Sequence, residues 1–319
     1  MFQVLFTYWS IANLQQCARD FSVSYPCLQK SCHTGTMSQR VPQIFDRALY
    51  YRRQARARAK PNYAEAAGAF FAPVLAALDE RLALAGRDFQ DAAILEAQHL
   101  AHHPMPQLQA RTQQRIGLFG GAGGAGSDAP SPLLHATRPM PHEQLSLAAH
   151  SQDLIVALWG LHIVNDVPSL LAQIRGALKP DGLFLAALAG GESLSGLRLA
   201  LLKAEAACAG GAAARIHPFA DILHVGDALS RAGFVRTVVD RELLPLKADG
   251  AALIAQLRAL GESNCMVRRA PLRRDVLAQA CALLPREEAP PQLELHYLSG
   301  WTPPEQNTQR KILSSNNRH

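Results

Sequence analysis

PSLLAQIRGALKPDGLFLAALAGG, residues 168–191, decides the fold. Its first half places Leu170, Leu171 and Ile174 at helical spacing behind Pro168, a residue suited to the first turn of a helix. KPDG then predicts a turn, and LFLAALAGG is a short apolar run of strand length. Just upstream, DLIVALWGLHIV (153–164) begins as another buried strand. A strand, a helix and a second apolar strand in succession form the repeating unit of a parallel sheet.

The unit recurs along the chain. AAILEA (92–97) and QRIGLF (114–119) predict two earlier strands. The segment 42–85 reads as helical, with Phe70, Val74, Leu75, Leu78 and Leu82 on one face. Downstream, SGLRLALLKAEAACAGG and ADILHVGDALSRAGF predict helices ended by Gly210 and Gly233, and VRTVVDREL a strand. ADGAALIAQLRALGESN is helical again, and QLELHYLSGW alternates as a half-exposed antiparallel strand would. The fold class is therefore α/β, a mostly parallel sheet with helices on both faces and an antiparallel close.

Composition sets bounds. Hydrophobic residues at 48% and charged residues at 18% suit a folded globular chain rather than a disordered one. The net charge of +6 is concentrated in YYRRQARARAK (50–60), VRRAPLRR (267–274) and the tail. The last two lack the interleaved aromatics of a stacking platform; on charge alone an acidic partner or an anionic carrier stands level with nucleic acid, and a solvated basic face is favoured over all three. Apolar runs are too short to span a bilayer. Cys17, Cys27, Cys32, Cys208, Cys265 and Cys281 form no C-x-x-C pair and read as reduced thiols. Residues 1–36, aromatic-rich and alanine-poor, look foreign to the rest and read as a disordered extension. Residues 37–303 form the domain, and 304–319 a disordered tail.

The helix, K-P-x-G turn and strand of LLAQIRGALKPDGLFLAAL resemble the class I S-adenosylmethionine-dependent methyltransferases. The resemblance tightens over 160–198, HPFADILHVGDALSRAGF (217–234), LRALGESN (257–264) and LHYLSGW (295–301), with IFDRALYYRRQARA (44–57) at the amino-terminal side. These segments are similar to the mitochondrial respiratory complex I assembly factors that hydroxylate an arginine, to their bacterial homologues, and to the biotin-pathway methyltransferase acting on malonyl-carrier protein. The resemblance implies a Rossmann-like seven-stranded sheet with an antiparallel C-terminal hairpin, and S-adenosyl-L-methionine as cofactor. It also implies a protein or acyl-carrier-type substrate, including a respiratory complex I subunit, and a location in the bacterial cytoplasm or the mitochondrial matrix.

Such enzymes hold the cofactor on a glycine-rich turn after the first strand, where the backbone turns sharply and approaches the ligand. GLFGGAGGAGSDAP (117–130) offers G-x-G-x-x-G at Gly121, Gly123 and Gly126, but too little chain separates it from Asp153 for the two strands and two helices that must intervene. Counting from AAILEAQHLAHHP puts the turn there instead. Glu96 fits the acidic position, while Gln98, Leu100 and His102 occupy the sites of the three glycines. Their side chains disfavour positive φ and fill the cofactor's space, so binding is expected to be weak or absent. SDAPSPLLHA makes Asp128 the candidate for the ribose hydroxyls, or a turn residue. HEQLSL offers Glu143 near the adenine, or a solvated carboxylate.

Ligands in open α/β sheets bind outside the carboxyl ends of strands. In LWGLHIVND, His162 is therefore the candidate base, with Trp159 and Asn165 as substrate contacts, although Asn165 and Asp166 also suit the cap of the next helix. Glu262, Ser263 and Asn264 of LRALGESN are further substrate candidates, or a helix-ending turn. Arg52, Arg53, Arg56 and Arg58 either steer an anionic partner or form a solvated face. His99, His102 and His103 have no carboxylate or Cys at ligand spacing, so no metal is expected, and no G-x-S-x-G supports a serine hydrolase. Two readings stand: a methyltransferase of the complex I assembly type, and a non-catalytic binding protein that keeps the fold without the cofactor turn.

Overall fold

The computed structural model describes residues 41–96, 110–117, 138–139, 143–246, 250–286 and 291–305. The chain divides into Met1–Pro42 and Gln43–His319, and the architecture below belongs to the second unit.

Asp46 opens helix α1 (Arg47–Arg58) by accepting a hydrogen bond from the Leu49 N–H at 2.8 Å. Helix α2 (Tyr63–Leu84) buries Phe70, Phe71, Val74, Leu75, Leu78 and Leu82 on one stripe, the face predicted from their spacing. Strands β1 (Phe89–Glu96), β2 (Ala110–Gly117), the two-residue β3 (Arg138–Pro139), β4 (Gln152–Ala157) and β5 (Leu178–Ala189) follow, with α3 (Val167–Ala177) between the last two. Then come α4 (Ser195–Ala209), α5 (Ile222–Arg231), β6 (Val235–Pro245), α6 (Gly250–Ala259), α7 (Arg274–Leu283) and β7 (Gln292–Trp301).

The strands lie in the order β3-β2-β1-β4-β5-β7-β6. Parallel pairing runs from β3 to β5, and β7 is antiparallel to both neighbours. Six strands are extended; the seventh place expected for the sheet is held by β3, two residues long. Every residue of β4 is buried, as a central parallel strand covered on both faces requires. Asp153 locks its register on β1, accepting from the Gln90 and Asp91 N–H groups at 2.8 and 2.9 Å.

Three expectations change in detail. KPDG lies within the bounds of β5 as an irregularity, with the register shifting between Gln152 and Leu154 and Asp181 at φ 56°. The antiparallel pair β6–β7 is no tight hairpin, since α6 and α7 intervene. And β7 is not half-exposed: Leu293 to Leu298 are all buried, because β7 sits between β5 and β6. The edge is β6, whose residues are mostly exposed.

The main core packs α2, α3 and α5 against the sheet. A separate apolar cluster joins Leu194, Leu197, Ala200, Leu201 and Ala204 to Leu253, Val276, Ala280 and Leu284, tying α4, α6 and α7 into a cap. Both clusters contribute walls to one cavity.

Candidate functional site

The cavity holds about 680 Å³ beyond the carboxyl ends of β4 and β5, a size suited to a small ligand. Gly160, at φ 98°, lets the chain leave β4 and enter a 3₁₀ turn over Leu161–Ile163. This turn delivers Trp159 and His162 to the cavity wall with ring centroids 4.8 Å apart; Phe71 packs edge-on to Trp159 at 5.4 Å, and Phe219 lies 5.8 Å from His162.

Glu262 is brought in by the turn that ends α6. Gly261, at φ 77°, lies so close to Gln54 that a Cβ there would sit 3.0 Å from its amide. Tyr50 Oη donates to Glu262 Oε1 at 2.8 Å and Gln54 Nε2 donates to the same oxygen at 3.1 Å. Burial pushes the Glu262 carboxyl up to about 7, against the pull of Tyr50, Trp159 and Gln54. The Trp159 indole Nε1 faces this carboxyl without forming a hydrogen bond of good geometry. A carboxyl divided between its two protonation states near neutral pH is equipped for proton transfer.

His217 also lines the cavity, but its Nε2 accepts the Cys265 N–H at 2.8 Å, and burial holds its pKa down at about 4. It is a neutral structural imidazole with its lone pair committed. Burial pushes the Cys265 thiol up to about 12, which leaves it an inert core residue.

The remaining sequence candidates separate. Asn264 lines the cavity; its Nδ2 donates to the Ala214 carbonyl and its Oδ1 accepts from the Met266 N–H. Ser263 lines the cavity beside it. Asn165 does not reach the cavity. Its Oδ1 accepts from the Ile44 and Phe45 N–H groups at 2.8 and 2.9 Å, so it holds the segment leading into α1. Glu143 is committed to the backbone N–H groups of Asn165 and Asp166, each at 2.9 Å, and stands 3.8 Å from Arg47. Asp166 caps α3 through the Ser169 N–H. Of the four candidate arginines on α1, Arg53 and Arg56 line the cavity and Arg52 and Arg58 do not.

At the end of β1, Glu96 is buried and pairs with Arg115 of β2 at 2.8 Å. Desolvation raises its pKa despite the Arg115 charge. Its Oε1 is a buried acceptor without a hydrogen-bond partner. Gln98, Leu100, His102, the neighbouring histidines, the Gly-rich run and Asp128 lie outside the described residues. Among the described residues no group of three or more His, Cys, Asp or Glu could hold a metal ion, and no helix is long and apolar enough to cross a membrane.

Sequence reasoning missed Tyr50, Gln54 and His217. They sit far along the chain from Glu262, and α1 carries no local signal that Tyr50 and Gln54 face a carboxylate. The i, i+4 spacing of those two was the available clue, since it puts both on one helix face.

A methyltransferase domain family matches residues 125–186, a stretch that runs through β4, α3 and into β5. The human protein named arginine-hydroxylase NDUFAF5, mitochondrial, is 38% identical over 167 residues, covering 50% of this chain and 48% of its own length. Its Dictyostelium discoideum counterpart is 33% identical over 172 residues, 51% of this chain and 39% of that protein. The malonyl-[acyl-carrier protein] O-methyltransferase of Xylella fastidiosa is 37% identical over 126 residues, 39% of this chain and 41% of its own. The chain thus spans about half the length, or less, of these curated relatives. Residues 125–186 thus match a methyltransferase domain family, and over the part that aligns the chain is similar to proteins named NDUFAF5 arginine-hydroxylases and malonyl-[acyl-carrier protein] O-methyltransferases.

Proposed function

We propose that the chain works as a protein of the S-adenosylmethionine-dependent methyltransferase family. Its substrate is a protein side chain or a carrier-bound group admitted to the cavity at the ends of β4 and β5, in the setting of respiratory complex I assembly. The observation that carries this reading is the position of Glu262: a carboxyl with its pKa at about 7, walled by Trp159 and His162, beside the strands that match the methyltransferase domain. The compartment that fits is a bacterial cytoplasm or a mitochondrial matrix, since relatives named mitochondrial share this half of the chain.

The carboxyl end of β1, where Glu96 lies, is the place we assign to the cofactor; the sequence candidates Gln98 and Asp128 lie outside the described residues. The buried Glu96 Oε1 suits a hydrogen-bond donor arriving with a ligand, so the described residues there fit the group. When bound, S-adenosylmethionine supplies an electrophilic methyl group. Trp159 and His162 close the wall on the sheet side and exclude water, and Asn264 and Ser263 offer polar contacts to the substrate. Glu262 takes the proton that a substrate nucleophile loses, in its ionised form, while Tyr50 and Gln54 fix the orientation of its carboxyl.

The replacement of the turn glycines by Gln98, Leu100 and His102 favours a second reading, a binding protein that retains the fold without transfer. Incubating the chain with S-adenosylmethionine and an acyl-carrier protein or complex I subunit peptide, followed by mass spectrometry of the partner, separates the readings. A gain of one methylene supports methyl transfer and a gain of one oxygen the hydroxylase variant. An unchanged partner that nonetheless co-purifies with the chain supports the binding protein and rejects catalysis.

A further inference from the structure

The cavity has two unlike walls. Arg53 and Arg56 line the cavity from α1, with Ala57 beside them, and Lys60 lines it from the turn just past the end of the helix. Leu194, Leu197 and Leu201 line another wall at the start of and along α4, and Ile254 and Leu257 of α6 continue it. Arg258, Arg215 and Arg269 add cations to the lining, and Glu262 is the one carboxylate among the described lining residues. Arg215 is already paired with Glu205, and Arg269 with Asp46. The side chains of Arg56, Lys60 and Arg258 have no hydrogen bond or ion pair with another described residue, whereas Arg53 donates to the Asn264 carbonyl.

Cations gathered on one wall repel each other, and the arrangement costs free energy unless an anion or solvent relieves it. An aliphatic wall facing a cavity likewise leaves apolar surface to be covered. One ligand chemistry satisfies both. We propose that the cavity takes an amphiphilic anion: a linear apolar chain lying along the aliphatic side chains of α4 and α6, with a carboxylate or phosphate head against Arg53 and Arg56 of α1 and Lys60 just past its end.

This deepens the reading of the cavity as a substrate chamber and rests on it for the location of the site alone, because the ligand's binding requires no cofactor. A guanidinium or ammonium head would meet like charge along α1. A small anion without a chain would leave the leucines uncovered. Chain length should therefore matter as much as charge, with affinity rising about fourfold for each methylene buried until the cavity is filled.

Calorimetry on the full chain with decanoate, decyl phosphate, decanol and butyrate, all below their micelle concentrations, tests this. Binding of decanoate or decyl phosphate is expected, with decanol and butyrate each at least about tenfold weaker; the better of the two anions identifies the head group. Reversing two solvent-exposed cations in Arg56→Glu/Lys60→Glu, with folding of the variant checked by circular dichroism, should weaken the anion at least about tenfold. Equal binding of decanol and decanoate, unchanged affinity in the charge-reversed variant, or no binding of either anion overturns the proposal. Such a failure leaves S-adenosylmethionine binding unaffected, so it is distinguishable from failure of the methyltransferase reading.

Discussion

Glu262 meets Tyr50 and Gln54 of α1 on a single oxygen, with Tyr63 of α2, Trp159 after β4 and Cys265 on its own loop also nearby. Its carboxyl titrates at about 7 when folded against 4.5 for the ordinary group. The folded state therefore holds the proton longer than the unfolded chain. The associated stability is complete below pH ~4.5, declines as pH rises, and is gone above about 7, a change of up to ~3 kcal/mol. Glu262→Gln keeps an acceptor for Tyr50 and Gln54 and removes the titration, so its denaturation midpoint should lose that pH slope. A variant with the slope of the native chain would show that another group is responsible. Asn165 is a different kind of residue: Asn165→Ala strips acceptors from two backbone N–H groups and should cost ~2 kcal/mol in urea denaturation, with ligand binding in the cavity little changed. Glu262 was legible as a site candidate from LRALGESN, whereas the role of Asn165 was not. Its partners Ile44 and Phe45 lie in a distant segment, and only the folded chain brings them to it.

Among the elements, β4 and β5 were legible because a continuous apolar run bounded by turn signals has few alternatives in an α/β chain. β7 misleads for a physical reason. QLELHYL alternates polar and apolar residues like a strand with one wet face, yet its polar side is buried, with the Glu294 carboxylate held by internal partners. Arg241 Nε donates to Glu294 Oε1 at 2.5 Å, the Glu192 N–H donates to Oε2 at 2.5 Å, and His296 Nε2 lies 3.0 Å from Oε1. Alternation reports polarity, and exposure follows from it only when no partner is supplied. Packing over this strand is close at the end of β5, where a Cβ on Gly190 would fall 2.3 Å from His296 Nε2 in a fully buried ring. Gly190→Ala should destabilise the chain by ~2 kcal/mol or more, seen as a melting temperature several degrees lower. An unchanged melting temperature would mean that the ring has room to move.

At the scale of the molecule, a parallel sheet and a helical cap each keep an apolar cluster of their own, and the space at their junction becomes the cavity. The α/β class with its antiparallel close followed from the succession of strands and helices, while the expectation that the cofactor turn comes after β1 rather than in the Gly-rich run concerns residues outside those described. The cap did not follow, since α4, α6 and α7 are separated in the chain by β6 and α5 and no local pattern announces that they pack together. The central proposal is a methyltransferase-family protein in which Gln98, Leu100 and His102, at the positions where the sequence places the turn glycines, weaken cofactor binding. Calorimetric titration with S-adenosylmethionine tests it most directly, comparing the native chain with Gln98→Gly/Leu100→Gly/His102→Gly and checking by circular dichroism that the variant is folded. The account predicts a native dissociation constant of about 1 mM or weaker and at least a tenfold gain in the variant. Native binding much tighter than that, or a folded variant that gains nothing, would contradict it.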